Sequence, residues 1–276
     1  MEYLLDRIQM SGANKSYIQS KRMDTHQKTP KLRGIAIGPF QCRLYDIIMD
    51  VRFLTWFHPN KEQASQSKQG CPLQIFMLFL LIDYSKEMKK DLFVGFLDYE
   101  KAYDYVNRAE IISSLMDNGC GETYTKAMAN MFKTSTYFPK SNKNHLSESI
   151  STDYGVTQGR RSSGSLFSYY VSDMPEAVGD ISYDDFMDPL TLAQLADDTA
   201  LYAEKIENLV TKFVKLFDYS KRKHQVPNIS KTLYCNFATN PLQTPLMIDE
   251  NTFIQSVDVS KGYRYLGITF YPTNDM

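Results

Sequence analysis

Cysteine is scarce in this chain: four stand among 276 residues, at Cys42, Cys71, Cys120 and Cys235. They are widely spaced, with no Cys-x-x-Cys pair and no histidine at ligand spacing. That argues against structural zinc and against a disulfide framework. Buried thiols in a reducing, intracellular setting are the expectation, and nothing chooses between cytoplasm and nucleus. Charge of one sign is also lacking, with a formal net charge of -1. A protein that grips a polyanion by itself is usually basic, because phosphate neutralisation supplies most of the affinity. The balance therefore counts against a self-sufficient nucleic-acid enzyme, although clustering matters more than the sum. No apolar run is long enough for a bilayer: the strongest, Leu73 to Ile82, is broken by Gln74. Met1 to Met10 lacks the continuous apolar core of a signal peptide. A membrane partner is not expected, and no internal repeat is found.

What is present is a substantial core. Hydrophobic residues make up 43% and aromatics 13%, and a charged fraction of 23% is ordinary for a folded domain. Basic clusters occur at Lys86, Lys89 and Lys90, at Arg160 and Arg161, and at Lys221, Arg222 and Lys223. Each reads equally well as a solvated face or as a phosphate contact. Residues 1–30 read as a polar, irregular arm. Ile47, Ile48, Val51 and Leu54 suit one face of a helix, and Pro72 suits the first turn of another running towards Lys90. Leu92 to Leu97 reads as a buried strand, with Gly95 allowing close packing. Helices are expected from Val106 to Met116, capped at Asn118-Gly119, and from Glu122 to Phe132. Strands at Thr136–Phe138 and Ile150–Tyr154 suggest a hairpin. Ser165 to Val178 reads as one helix, Leu192 to Tyr202 as a hairpin, Glu204 to Lys223 as an amphipathic helix. Late strands fit Thr232–Phe237 and Tyr263–Phe270. This mixed order of strands and helices indicates an α+β fold.

Two acidic positions invite chemistry. Asp98 ends a buried strand; Asp197-Asp198 occupies a hairpin tip roughly a hundred residues later, flanked by Leu192, Ala193, Leu195 and Ala196 and by Ala200, Leu201 and Ala203. Carboxylates at the edge of a core need a cation or a partner. The pair Asp184-Asp185 lies in a polar loop and reads as a solvated acidic turn. Three converging carboxylates suit phosphoryl transfer, where two divalent ions about 3.5–4 Å apart activate the attacking hydroxyl and stabilise the leaving oxygen. Hard cations such as magnesium prefer oxygen ligands.

At these residues the pattern becomes specific. Phe96-Leu97-Asp98-Tyr99-Glu100-Lys101-Ala102-Tyr103-Asp104 closely resembles the first catalytic motif of reverse transcriptases of non-LTR (LINE-type) retrotransposons. Gly155-Val156-Thr157-Gln158-Gly159, with Ser163, Leu166 and Phe167 after it, looks like their Gln-Gly motif. Leu195-Ala196-Asp197-Asp198 resembles Tyr/Phe-Ala-Asp-Asp. Asn228-Ile229-Ser230-Lys231-Thr232 and Tyr265-Leu266-Gly267 look like the two motifs that follow, the second being the primer grip. The ordered set is specific where each motif alone is weak, and it covers about Lys31 to Phe270. The resemblance implies a right-hand polymerase fold with a palm sheet, helices and partial fingers. Residues 31–97 would be mainly fingers and 98–270 mainly palm, with a fingers portion inserted around 120–160 and a short tail at 271–276.

The resemblance also implies roles. Asp98, Asp197 and Asp198 match the metal-binding acids, for two magnesium ions with manganese as an alternative. Lys231 matches a lysine proposed to protonate leaving pyrophosphate. Tyr103 matches the aromatic steric gate beneath the incoming sugar. Gln158 and Gly159 match residues lining the template and nucleotide pocket, and Arg33 resembles a fingers arginine that contacts triphosphate. Tyr265, Leu266 and Gly267 match the primer grip. The implied activity is RNA-directed DNA polymerisation on an RNA template with a DNA primer and deoxynucleoside triphosphates; the oligomeric state is not indicated. Departures bear on this. Leu195 replaces the usual aromatic, Gly164 stands where proline is common, and Ser65-Gln66-Ser67 replaces a Gly-Phe-Arg-like segment. Few residues follow Phe270, so a thumb looks largely missing and the chain reads as a piece of a larger retroelement protein without a visible endonuclease region. A catalytically silent remnant that folds, and binds nucleic acid without polymerising, is the alternative. A metal phosphotransferase unrelated to nucleic acid would require the motif order to be accidental.

Overall fold

The computed structural model describes residues 15–21, 33–60, 62–63, 70–140, 148–179, 192–238 and 241–272. In chain order, β1 (Lys15–Lys21) and β2 (Arg33–Ile37) precede helices α1 (Phe40–Trp56) and α2 (Gly70–Met88). Then come β3 (Leu92–Leu97), a 3-10 turn at Ala102–Asp104, α3 (Arg108–Asp117), α4 (Glu122–Lys133) and β4 (Thr136–Lys140). Next are α5 (Ser162–Tyr170), α6 (Met174–Val178), β5 (Leu192–Leu195), β6 (Asp198–Ala203) and α7 (Ile206–Arg222). The last elements are β7 (Leu233–Phe237), β8 (Leu246–Asp249), β9 (Thr252–Ser256), β10 (Tyr263–Tyr265) and β11 (Ile268–Phe270). The fold is α+β. The chain divides into two compact units: one holds the described residues up to His58 together with Tyr103–Tyr170, the other Pro59–Ala102 together with those from Val171 on. These crossings fall near 58, 102 and 170, where the sequence suggested one boundary at 97 and an insertion around 120–160.

The second unit is built on a sheet of order β5-β6-β3-β7-β9-β8, in which β3 is antiparallel to both β6 and β7. Strand alternation sends Leu92, Val94 and Phe96 to one face. There they share a core with Leu78, Leu81 and Ile82 of α2, with Ala200 and Tyr202, and with Tyr265 and Phe270. On the opposite face α7 crosses Gly95. A Cβ at Gly95 would lie 2.5 Å from the Phe213 ring and 3.1 Å from Leu209, so glycine is what lets the helix approach. Gly95→Val is therefore expected to destabilise the chain by about 1–3 kcal/mol through overpacking. Urea unfolding at equilibrium checks this, and an unchanged midpoint would refute it.

The first unit carries a sheet of order β2-β1-β4, with β1 antiparallel to β2 and parallel to β4. Strand β1 lies within the stretch read as an irregular arm; residues 1–14 and 22–30 of that stretch lie outside the described residues, as do the fingers segment Ser65-Gln66-Ser67 and the acidic pair Asp184-Asp185. On α1, the face carrying Ile47, Ile48, Val51 and Leu54 is exposed. The buried face carries Cys42, Tyr45, Asp46, Met49, Asp50 and Phe53. Aromatic packing decides this orientation: Phe53 meets Phe57, Tyr124 and Tyr169 at ring centroid distances of 5.3, 6.0 and 5.6 Å.

Other expectations are corrected locally. The helix read from Ser165 to Val178 is two helices, α5 and α6. Pro175 in the first turn of α6 lacks a donor and clashes with an α-helical turn before it, so the chain breaks over 171–173. The hairpin expected at Ile150–Tyr154 reduces to isolated bridges, Tyr137 with Ile150 and Asn107 with Tyr154. The single strand expected over Tyr263–Phe270 is the hairpin β10–β11. Leu266 and Gly267 both take positive φ, +49° and +93°, the backbone a two-residue turn with matching twist requires. Strands β8 and β9 form an antiparallel pair with an irregular register between Met247 and Asp249, beyond the strands expected from the sequence. Three cysteines are buried, but Cys71 is exposed, and all four are free thiols. Among the described residues no helix is long and apolar enough to cross a membrane.

Candidate active site

Asp98 directly follows β3, and Asp198 opens β6. Their ladder runs from Phe93 opposite Ala203 to Leu97 opposite Thr199. One further step in that register sets Asp98 opposite Asp198, on the face of Phe96 and Ala200. Leu195 pairs with Asp198, so Ala196 and Asp197 form a two-residue connection between β5 and β6. Ala196 takes φ +53° there, a left-handed conformation that costs a non-glycine residue about 1–2 kcal/mol. Asp98 thus stands at the same end of the sheet as Asp197 and Asp198 although the sequence separates it widely from that pair.

The segment after α7 wraps Asp98. Asn228 N–H donates to the Asp98 carbonyl at 2.8 Å, and Glu100 N–H to the Val226 carbonyl at 2.8 Å. Asp98 N–H reaches Thr232 Oγ1 at 3.4 Å. The turn closes through Lys231 and Thr232 N–H donors to the Asn228 carbonyl. This places Lys231 Nζ 3.0 Å from Asp98 Oδ2. The lysine side chain is largely exposed, so the pair contributes little to stability.

Burial, then the charges of Asp197 and Asp98, push the Asp198 carboxyl up to about 6 from 3.8, against an opposing pull from Lys231. A raised folded-state pKa means that folding disfavours the charged form. Below pH 3.8 the carboxyl is neutral in both states; the penalty grows as pH rises towards about 6 and is complete above it. In chelator, Asp198→Asn should melt at a higher temperature than the parent chain at pH 7.5, and the gap should close at pH 4. Thermal denaturation at both pH values measures this; an equal gap would remove the account by burial and repulsion.

The hairpin β10–β11 belongs to the same unit. Tyr263 stacks on Phe96 with ring centroids 4.3 Å apart, and Tyr265 lies 5.1 Å from the same ring. The Tyr265 hydroxyl donates to Gln74 Oε1 at 3.0 Å. Burial first, and then Asp198 and Asp98, push the Tyr263 hydroxyl well up, so this ring senses the acids. Tyr265 and Leu266 pack on the core while Gly267 is exposed. Tyr263 and Gln74 were not singled out from the sequence. The period-2 spacing of Tyr263 and Tyr265 was the available signal for the first; nothing local marks Gln74.

The other expected residues lie in the first unit. Arg33 is the β2 residue opposite Lys21. Tyr103, in the 3-10 turn, stacks on the buried Phe167 at 4.8 Å with planes 10° apart. Gln158 and Gly159 occupy a turn before α5, Gly159 with φ +103°. This turn is tied on several sides. The Gln158 carbonyl accepts from Ala36 N–H of β2 at 3.0 Å, and Val156 N–H donates to the Tyr103 carbonyl at 2.8 Å. Buried Arg108 donates to the carbonyls of Gly155 (2.8 Å) and Thr152 and to the Tyr137 hydroxyl (3.1 Å). Tyr137 in turn meets Thr157 Oγ1 at 2.5 Å. Gly155 has φ +85°, and a Cβ there would lie 3.0 Å from the Asp104 carbonyl, so glycine alone fits. Of the basic clusters, Arg161 pairs with Asp50, Lys90 with Glu204 and Lys223 with Asp173.

A sheet, antiparallel except where β7 meets β9, that sets one carboxylate beside a hairpin-borne pair, with helices on both faces, defines the palm of a right-hand polymerase. The chain belongs to the reverse transcriptase (RNA-dependent DNA polymerase) family, whose model matches residues 21–270. It is 21% identical over 261 residues to a retrovirus-related Pol polyprotein from the type-1 retrotransposable element R2 of Bradysia coprophila, covering 88% of this chain and 30% of that protein. Among solved structures, an apo telomerase of Candida tropicalis truncated of its C-terminal domain matches with TM-score 0.56 and 14% identity over 85% of this chain and 52% of that one. The C. tropicalis telomerase in complex with a TWJ fragment of telomeric RNA matches with TM-score 0.55 and 14% identity, over 89% of this chain and 46% of that one. These structures share the fold. The chain spans about half of each and less than a third of the R2 polyprotein.

Proposed function

We propose that the chain carries out RNA-directed DNA synthesis, extending a DNA primer on an RNA template with deoxynucleoside triphosphates. The observation that carries this reading is the strand register that sets Asp98 beside Asp198, with Lys231 on Asp98, in a member of this family. The second unit is assigned as palm and the first as fingers.

Asp98, Asp197 and Asp198 offer only hard carboxylate oxygens, the donor set that suits magnesium, and the burial and mutual repulsion that raise Asp198 are what a divalent cation offsets. Among the described residues no three acidic, His or Cys side chains are already gathered to hold a metal ion, so ligation requires these three to approach a common point. Bound ions would supply Lewis-acid charge at the attacking and leaving oxygens. The primer 3′-oxygen bonds to the α-phosphorus as the bond from that phosphorus to the bridging oxygen breaks. The 3′-hydroxyl passes its proton to solvent water, and Lys231 supplies one to the departing pyrophosphate and regains it from solvent. Tyr103 lies under the incoming sugar, Arg33 takes the triphosphate, and Gln158 and Gly159 line the nucleotide and template pocket. Tyr265, Leu266 and Gly267 hold the primer end.

Primer extension on matched RNA and DNA templates with magnesium tests the reading. Extension on RNA is expected. A folded chain that binds primer–template without extending it would assign the chain to the silent alternative.

A further inference from the structure

The buried face of α1 presents two carboxylates one turn apart, Asp46 (3% exposed) and Asp50 (2%). Buried acids are costly unless every oxygen is hydrogen-bonded. Both are, and all their donors come from one place, the start of α5. Asp46 Oδ2 accepts from Arg161 N–H at 2.9 Å and Ser162 N–H at 3.3 Å, and its Oδ1 accepts from the Ser162 hydroxyl. Asp50 accepts from Arg161 Nε at 3.0 Å and from the Ser165 hydroxyl at 2.6 Å. Asp46 thus caps α5 from a different helix, satisfying donors that a helix start leaves open.

The capped residues adjoin the Gln158-Gly159 turn. Arg160 N–H and the Ser163 hydroxyl both donate to the Thr157 carbonyl, at 3.2 and 2.6 Å, so the turn and the helix start are one hydrogen-bonded piece. Arg108 and Tyr137 anchor its leading side; the α1 acids anchor its trailing side. Gly159 itself is free to take φ +103° and has no side chain to hold it.

We propose that Asp46 and Asp50 are positioning residues for nucleotide binding, fixing the Gln158-Gly159 turn through α5 without touching substrate. This rests on the polymerase reading for its consequence in catalysis, but not for its structural half. Asp46→Ala in the full chain should speed amide exchange of Arg161 and Ser162 by about ten-fold or more, leaving β6 unchanged. It should raise KM for deoxynucleotides by about ten-fold with kcat within about three-fold. Asp46→Asn keeps an oxygen for the two backbone donors and an amide facing the Ser162 hydroxyl, and should restore most of both. Unaltered exchange in Asp46→Ala overturns the proposal. Altered exchange with an unmoved KM, or with a loss confined to kcat, overturns the nucleotide-positioning role. If Asp46→Ala does not fold, Ser162→Ala removes one donor only and should show the same changes in reduced degree; unchanged exchange and KM would then overturn it. If the parent chain extends no primer, the polymerase reading fails by itself and exchange still decides whether the acids hold the turn.

Discussion

Asp98→Ala and Asp197→Ala are each expected to lower primer extension on RNA by about a thousand-fold or more. Charge stabilisation by a held cation is worth several kcal/mol, and each 1.36 kcal/mol is ten-fold in rate. Both acids stand where register and turn geometry deliver them, so neither can be replaced by a neighbour. The fold should survive, because each substitution removes a charge that repels Asp198. Lys231 loses a partner in Asp98→Ala but is largely exposed, so little stability goes with it. Single-turnover extension on a matched primer–template, with melting temperature and primer–template affinity measured beside it, separates loss of chemistry from loss of fold or binding. Residual activity above about a tenth of the parent, with the fold intact, would sink the assignment of that acid.

Tyr103→Ala is expected to reduce discrimination against ribonucleotides by about 10–100-fold, whereas Tyr103→Phe should leave it nearly unchanged. Exclusion by shape is worth roughly 1–3 kcal/mol when one added group must be refused. The ring suits the task because it is held: it stacks on Phe167 with planes 10° apart, and Phe167 is fully buried. A ring fixed on one side presents a rigid edge on the other. The measurement is the ratio of kcat/KM for deoxy- and ribonucleotides sharing a base. Equal slowing of both by Tyr103→Ala would show that the ring supports the fold rather than the choice of sugar.

Much of the local structure was legible because short-range physics decides it. LFVGFL is a continuous apolar run of strand length, and it forms a strand buried on both faces. Asn118-Gly119 ends α3 as a capping pair should, with Gly119 at φ +75°. The order of the motifs around Asp98, Gln158, Asp197, Lys231 and Tyr265 marks the family without reference to any contact. Where several faces or turns compete, the same rules fell short. The aliphatic stripe of α1 obeys helical spacing and yet faces outward, because aromatic packing by Phe53 and the capping duty of Asp46 and Asp50 bury the other side. Charged residues on a helix read as solvated in sequence; only their partners on α5 show otherwise.

By itself, then, the sequence determined the class of fold, the family, and which carboxylates and aromatics deserve suspicion, since periodicity, turn chemistry and motif order act over a few residues. Tertiary structure alone decided which of them meet. It set Asp98 opposite Asp198 through a register between strands roughly a hundred residues apart, seated Tyr263 over Phe96, and turned two buried acids of α1 into the cap of α5. Pairings of that kind depend on how distant segments share a core and satisfy each other's buried polar groups, and no window of sequence contains both partners.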